Sequence, residues 1–487
     1  MDARRTIRYY YLGILRRKIS SPAVDWTGGL KMTKDMTKGS PFKLIIGFAV
    51  PMFLGMLFQQ FYSMVDTMIV GKLLGVNPLA GVGSTSSLNF MVIGFCTGVC
   101  NGFAIPVAQM FGAKKESDLR KYVANCTWLC AGFSVILTLL VVIFCKPILH
   151  LLRTPTEIFE YAYVYIVIIF WGIPCTFLYN ILAAIIRSLG DSRTPVVFLA
   201  VASILNIILD LVFIIPFHMG VEGAALATVI SQGVSGVVCL FYMKKKFAVL
   251  KISKAEWRPQ PLFMKNLCMV GIPMGLQYSI TAIGTLVIQA AVNGLGAAAV
   301  AGVTAAQKIY AFVSCPIESL GATMAPYSGQ NMGAGKLERL EKGLVAASLT
   351  GFVLSGLALV LMWLFGNNMS LLFLDKSETE VMAYSYQFLM TASVGFCLLT
   401  LVNTVRFTIQ GMGFSGFAMT AGVLEMIART LAGTVLVPLI GFRGICLAHP
   451  LAWLFADVFL IPAFLHCRKK LERMMRGEGA AGASVNS

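Results

Sequence analysis

The feature that most constrains this chain is a succession of apolar runs, each 18 or more residues long. A run of that length, wound as a helix, reaches across the hydrocarbon core of a bilayer. Spanning strands would instead read as segments of about 10 residues alternating apolar and polar, and no such pattern occurs. Charged residues make up only 13% of the chain, where a soluble protein carries about a quarter, and mean hydropathy is +0.78. The fold class expected is an all-α polytopic membrane protein.

Twelve spans are expected, at 44–71, 79–111, 122–145, 157–181, 195–216, 220–243, 264–291, 298–329, 342–365, 379–407, 415–438 and 443–466. Several exceed the length a bilayer needs, so tilt or kinks are expected. With an even number, both termini share a side. "GAKKESDLRK", "RSLGDSR", "KKKFAVLKISKAEWR", "GAGKLERLEK" and "CRKKLERMMR" all fall on the side of the basic N-terminal tail. The opposite loops hold only Lys72, Lys146, Arg153, Lys376 and Arg443. The positive-inside rule then makes both termini cytoplasmic. No cleavable signal peptide is evident, and whether residues 1–31 belong to the mature protein is left open by the methionines at Met32 and Met36. The twelve cysteines lie mostly within apolar runs without Cys-x-x-Cys spacing, which reads as apolar packing rather than a disulfide or metal framework.

The two halves match at a shift of 221 residues. "LGVNPLAGVG" (74–83) lies over "LGAAAVAGVT" (295–304), and the same shift superposes Gln109 on Gln330, Gly112 on Gly333 and Gly190 on Gly411. Six spans separate the copies, so they share one orientation, which predicts two six-helix lobes related by a pseudo-two-fold along the membrane normal, with a substrate path between them. The expected organisation is a basic tail 1–43, an N-terminal lobe 44–243, a linker 244–263, a C-terminal lobe 264–466 and a tail 467–487.

The halves differ in chemistry. After a two-residue adjustment, Asn206 and Asp210 superpose on Glu425 and Arg429, while Thr228 falls on His449. A carboxylate at bilayer depth costs about 2.5–3.5 kcal/mol, so Asp66 and Asp210 are expected to face the interior and to have a function. Each has a polar partner one turn earlier, Tyr62 and Asn206, and Thr228 adds another oxygen. Oxygen donors carrying one or two negative charges suit a proton or a hard cation such as Na⁺. The competing reading is a set of interhelical hydrogen bonds. Glu425 and Arg429, four apart on one helix, are expected to form a structural ion pair. Pro51 removes a backbone hydrogen bond from the first span and is the expected hinge.

Several of these stretches resemble the multidrug and toxic compound extrusion (MATE) transporters: "DMTKGSPFKLIIGFAVP", "MVDTMIVGKLLG", "PVAQMFGAKK", "RSLGDSRTP", "NIILDLVFI" and "GVEGAALATVISQ". The resemblance covers roughly residues 35–470 and includes the repeat. It implies H⁺- or Na⁺-driven efflux of amphipathic, often cationic compounds by alternating access, with a cation site at Asp66, Asn206, Asp210 and Thr228 and with Tyr62, Tyr165 and Asn180 nearby. Some branches of the family carry an acidic residue in the seventh span. This chain has Gln277 there and no carboxylate, which favours the N-terminal lobe for coupling.

The alternative is a lipid-linked saccharide flippase of the same architecture, which would need a strongly cationic cavity. Lys308 and Arg429 are the only basic residues expected at bilayer depth. No His-Glu-x-x-His, Gly-x-Ser-x-Gly or Walker-type loop occurs, which argues against an enzyme and against ATP drive. The expectation is therefore a monomeric antiporter of a bacterial cell membrane, surrounded by lipid, handling small organic molecules, with no cofactor beyond the coupling ion and no nucleic-acid partner.

Overall fold

The computed structural model describes residues 34–152 and 154–476. Expectations for 1–33, Arg153 and 477–487 lie outside the described residues. The described residues form helices named here in chain order. The N-terminal half holds α1 (Pro41–Leu74), α2 (Val76–Ser84), α3 (Ser86–Gly112), α4 (Glu116–Leu151), α5 (Thr156–Trp171), α6 (Ile173–Ser188), α7 (Arg193–Ile214) and α8 (Val221–Lys246). The C-terminal half holds α9 (Pro261–Asn293), α10 (Ala297–Gly333), α11 (Leu337–Ser370), α12 (Thr379–Val394), α13 (Phe396–Gly411), α14 (Ser415–Leu431) and α15 (Phe442–Arg476). Among the described residues ten helices, or up to twelve spans when each bent pair counts as one, are long and apolar enough to cross a membrane.

Local signals explain where the helices begin and end. Pro41 and Pro261 open α1 and α9, where a missing N–H leaves no bond unmade. Gly75 and Gly296, 221 residues apart, both adopt φ +97°, a conformation that glycine takes without steric penalty. The spans expected at 157–181 and 379–407 are each broken, by 49° between α5 and α6 and by 50° between α12 and α13. The breaks fall at Gly172 and Gly395, so the bend is itself repeated. α1, by contrast, runs through Pro51 unbroken. Past Leu431 the chain continues through a π-helical turn, Ala432–Leu436, and a last turn, Val437–Ile440.

Each half builds its own core. Val99, Phe103, Phe170 and Phe177 lie in one, while Phe396, Ile409 and Trp453 lie in another. Between the halves, α3 runs against α9. A Cβ at Gly102 would meet the Gly271 backbone, and one at Gly98 the Met274 carbonyl, so small residues let these backbones approach closely.

The halves also meet at the end of the bundle that carries the basic loops, and they do so reciprocally. Gln109 Nε2 donates to the Gly411 carbonyl at 2.9 Å, and Gln330 Nε2 donates to the Ser188 carbonyl at 2.9 Å. A Cβ at Gly112 would collide with the Gln330 carbonyl, and one at Gly333 with the Gln109 carbonyl. The Gly112–Gln330 and Gly333–Gln109 approaches are thus exchanged by the repeat, whereas the glutamine amides reach acceptors two positions out of register, Gly411 and Ser188. A short strap crosses this seam. The Lys34 N–H donates to the Gly190 carbonyl at 3.1 Å on one side. On the other, the Met36 N–H donates to Gln330 Oε1 at 2.9 Å, and Asn331 and Arg339 both donate to the Met36 carbonyl.

The connection between the halves is docked on the N-terminal half. Glu256 accepts from Arg120 at 2.9 Å and from the Ser253 N–H and hydroxyl. Burial works to raise its pKa, but the Ser253 backbone bond and the Arg120 guanidinium prevail and bring it down from 4.5 to about 2.

Candidate functional site

A cavity of about 540 Å³ lies between the two halves, and the side chains that matter approach it from opposite walls. On the N-terminal wall, α7 presents Asn206 and Asp210 on one face, four residues apart, both buried. Asn206 Nδ2 donates to Thr228 Oγ1 of α8 at 3.3 Å, and that hydroxyl donates back to the Ala224 carbonyl at 3.1 Å. Asp66 of α1 lies beside Asp210, and Tyr62 and Tyr165 lie within electrostatic reach of both carboxyls. Asn206, Thr228 and Tyr62 line the cavity, whereas the two aspartates stand behind them.

Six of the seven residues expected at this site are thus brought together. The seventh, Asn180, also lines the cavity, but its amide donates to the Thr176 carbonyl at 2.9 Å. Thr176 in turn donates to Gln232 Oε1 at 2.7 Å.

Four buried oxygens in this group, Asp66 Oδ1, Asn206 Oδ1 and both of Asp210, have no hydrogen-bond partner among the described residues. No lysine or arginine forms an ion pair with either aspartate there. Unpartnered oxygen donors, two of the side chains being carboxyls, form a set that fits H⁺ or Na⁺. Two carboxyls this close resist simultaneous full ionisation, so a cation or a proton satisfies both.

The C-terminal wall is built differently. Glu425 and Arg429 of α14 pair at 3.4 Å, but Arg406 of α13 also binds Glu425, on its other oxygen. One carboxylate therefore holds two guanidiniums, and all three side chains are buried. Asp457 of α15 faces Arg406 from behind with neither oxygen hydrogen-bonded. Gly284 of α9 leaves the room that Arg429 fills. His449, the repeat's counterpart of Thr228, stacks with Tyr310 at 5.6 Å and lies 5.7 Å from Trp453.

Here the sequence reading needs correction. Lys308 is exposed, while Arg187, Arg406 and Arg429 line the cavity. Arg187 sits in the last turn of α6 and turns inward to donate to Asn101 Oδ1 at 3.1 Å. A long side chain near a helix end can reach out to the interface or in to a cavity, and its position in the sequence does not choose between them. For Arg406 a weaker signal existed: it falls one residue inside the end of the expected span 379–407, where an arginine can reach the interface or a buried partner.

With this geometry in view, comparison with known proteins is informative. The MatE family model matches residues 51–212 and 273–456, one segment in each half. A probable multidrug resistance protein, YpnP of Bacillus subtilis (strain 168), is 29% identical over 441 residues, 89% of this chain and 96% of its own length. A second from the same organism, YoeA, is 28% identical over 360 residues, covering 72% and 78%. Among solved structures, one described as an outward-facing conformation of a multidrug resistance MATE family transporter of the MOP superfamily superposes with a TM-score of 0.82. It is 22% identical, over 92% of this chain and 100% of that one.

Proposed function

The chain belongs to the MatE family, and on that premise we propose that it is a secondary active exporter, expelling amphipathic small molecules in exchange for H⁺ or Na⁺. The observation that carries this reading is the pair Asp66 and Asp210, held together without a basic partner among the described residues, next to Asn206, Thr228 and Tyr62 of the cavity lining. A carboxyl pair neutralised by a fixed arginine has no reason to bind and release an ion. This pair does, because leaving it charged costs free energy. Binding and release at the pair alter the charge behind α7 and α8, and so the hydration and shape of the wall that substrate touches.

The seam at the basic end supports alternating access. With both termini in the cytoplasm, this seam holds the two halves together at the cytoplasmic end. Exchange then requires a second state in which the Gln109 and Gln330 contacts part. Pro51, in the helix that carries Asp66, is the place where α1 can bend between the two.

The test is efflux from proteoliposomes driven by an imposed pH or Na⁺ gradient. Asp66→Asn and Asp210→Asn should each abolish gradient-driven efflux, since an amide neither releases a proton nor neutralises Na⁺. Parent-like efflux by both variants would remove the coupling site from the N-terminal half.

A further inference from the structure

We infer that the arginine wall of the central cavity is a recognition site for an acidic group, so that the substrates include amphipathic molecules bearing a carboxylate or a phosphate. This deepens the exporter reading by naming a substrate class, and it rests on the cavity being the substrate path.

The charged side chains lining the cavity are Arg187, Arg406 and Arg429 against Glu318 and Glu425. Glu318 accepts from the Ser314 hydroxyl at 2.8 Å and forms no ion pair with any of the three arginines among the described residues. Glu425 is shared between two arginines, and its two oxygens cannot saturate two guanidiniums, each of which offers several N–H donors in a rigid fork. The unmet donors are explicit. Arg406 Nε and Arg429 Nε and Nη1 are buried without a hydrogen-bond partner among the described residues, on side chains more than nine-tenths buried. Asp457 lies near Arg406 but does not bond it, and it is not part of the lining. Arg187 approaches from the opposite half with only the neutral Asn101 as partner and forms no ion pair among the described residues.

A structural ion pair would pair one base with one acid. Two arginines from two helices on one shared carboxylate, with donors left over, and a third arginine on the opposite wall beside a neutral amide, match an arriving anion instead. Guanidinium forks bind planar carboxylates and phosphates in a bidentate manner, and charge-assisted bonds of this kind are the stronger class. The aromatic rings of Tyr310 and Trp453, also in the lining, supply apolar surface for the rest of such a molecule.

Equilibrium binding to the purified full chain in phosphatidylcholine nanodiscs tests this without any gradient, so its result does not depend on ion coupling. The probes are a xanthene dye with a free carboxylate and the ethyl ester of the same dye, read by fluorescence polarisation. The acid should bind about tenfold more tightly than the ester, the value of one charge-assisted hydrogen bond. Arg429→Gln leaves the Arg406–Glu425 pair balanced, and Arg187→Gln touches no ion pair; each should erase most of that preference while ester binding persists. Equal or tighter binding of the ester, or an acid preference that survives both substitutions, would overturn the inference. Nanodiscs containing phosphatidylglycerol separate the sources of the acidic group. Weakened binding of the acid dye there, with ester binding unchanged and no such lipid effect in Arg187→Gln, identifies a lipid headgroup as the occupant, and unchanged binding identifies a free solute.

Discussion

Asn206 and Asp210 on α7 and Glu425 and Arg429 on α14 stand at matching places in the two halves, and they solve the problem of buried charge in opposite ways. The N-terminal group keeps its carboxyls together and leaves four oxygens unpartnered. The C-terminal group surrounds its carboxylate with two arginines. One framework, duplicated, thus carries an arrangement that gains by taking up a cation and another that is already internally compensated and has cationic donors to spare. A charge at membrane depth is therefore best interpreted through its neighbours rather than its depth. The same burial leaves Asp210 without a basic partner among the described residues and gives Glu425 two.

The largest expected difference between the halves is in stability. Glu425→Gln leaves Arg406 and Arg429 facing each other without their shared counter-charge, and losing one member of a buried pair costs about 3–5 kcal/mol. Asp210→Asn removes a charge that no base compensates, so its melting temperature should equal or exceed the parent's. Thermal unfolding of the two variants side by side checks this. A stable Glu425→Gln beside an unstable Asp210→Asn would reverse the contrast.

A smaller effect is expected where the halves behave alike. Gly112→Ala places a methyl group against the Gln330 carbonyl, and overpacking of this kind costs about 1–3 kcal/mol. That cost falls only on the closed seam, so the population open at the basic end should rise by roughly fivefold or more. Gly333→Ala should do the same through Gln109. Labelling of a cysteine introduced at the seam, from the basic side, measures it. A response confined to one of the two would show that the reciprocity does not extend to energetics.

The smallest effect lies outside the lobes. Glu256 is held at about 2, below its ordinary 4.5, so the stabilisation it gives the linker is complete above about pH 4.5 and is lost as pH falls towards 2. Hydrogen exchange of the amides around Ser253 should therefore speed up, beyond the intrinsic change, between about pH 6 and pH 3. Glu256→Gln should exchange fast at both. Equal protection of the parent at the two pH values would detach the linker's docking from this carboxylate.

Most of the fold was legible because its signal is long: a run of 18 apolar residues survives any single exception, and a shift shared by Gln109, Gly112 and Gly190 is a pattern with many members. The acidic cluster was legible because carboxyls are conspicuous in such runs. What escaped was local or directional. The bends at Gly172 and Gly395 are single residues within helical stretches that tolerate glycine. The inward turn of Arg187 is a rotamer choice decided by Asn101, 86 positions away. Even the ion pair expected at Glu425 and Arg429 gained a third member, Arg406, from a different helix, which spacing along α14 does not reveal.

The seam at the basic end is, in the language of assemblies, an isologous contact made within one chain: each half offers the other the same glutamine and the same glycine. The glycine contacts are exchanged by the repeat, while the two glutamine amides reach acceptors two positions out of register. Such an interface does not unzip from one edge. If it parts as a unit, a loss on either side is felt on both.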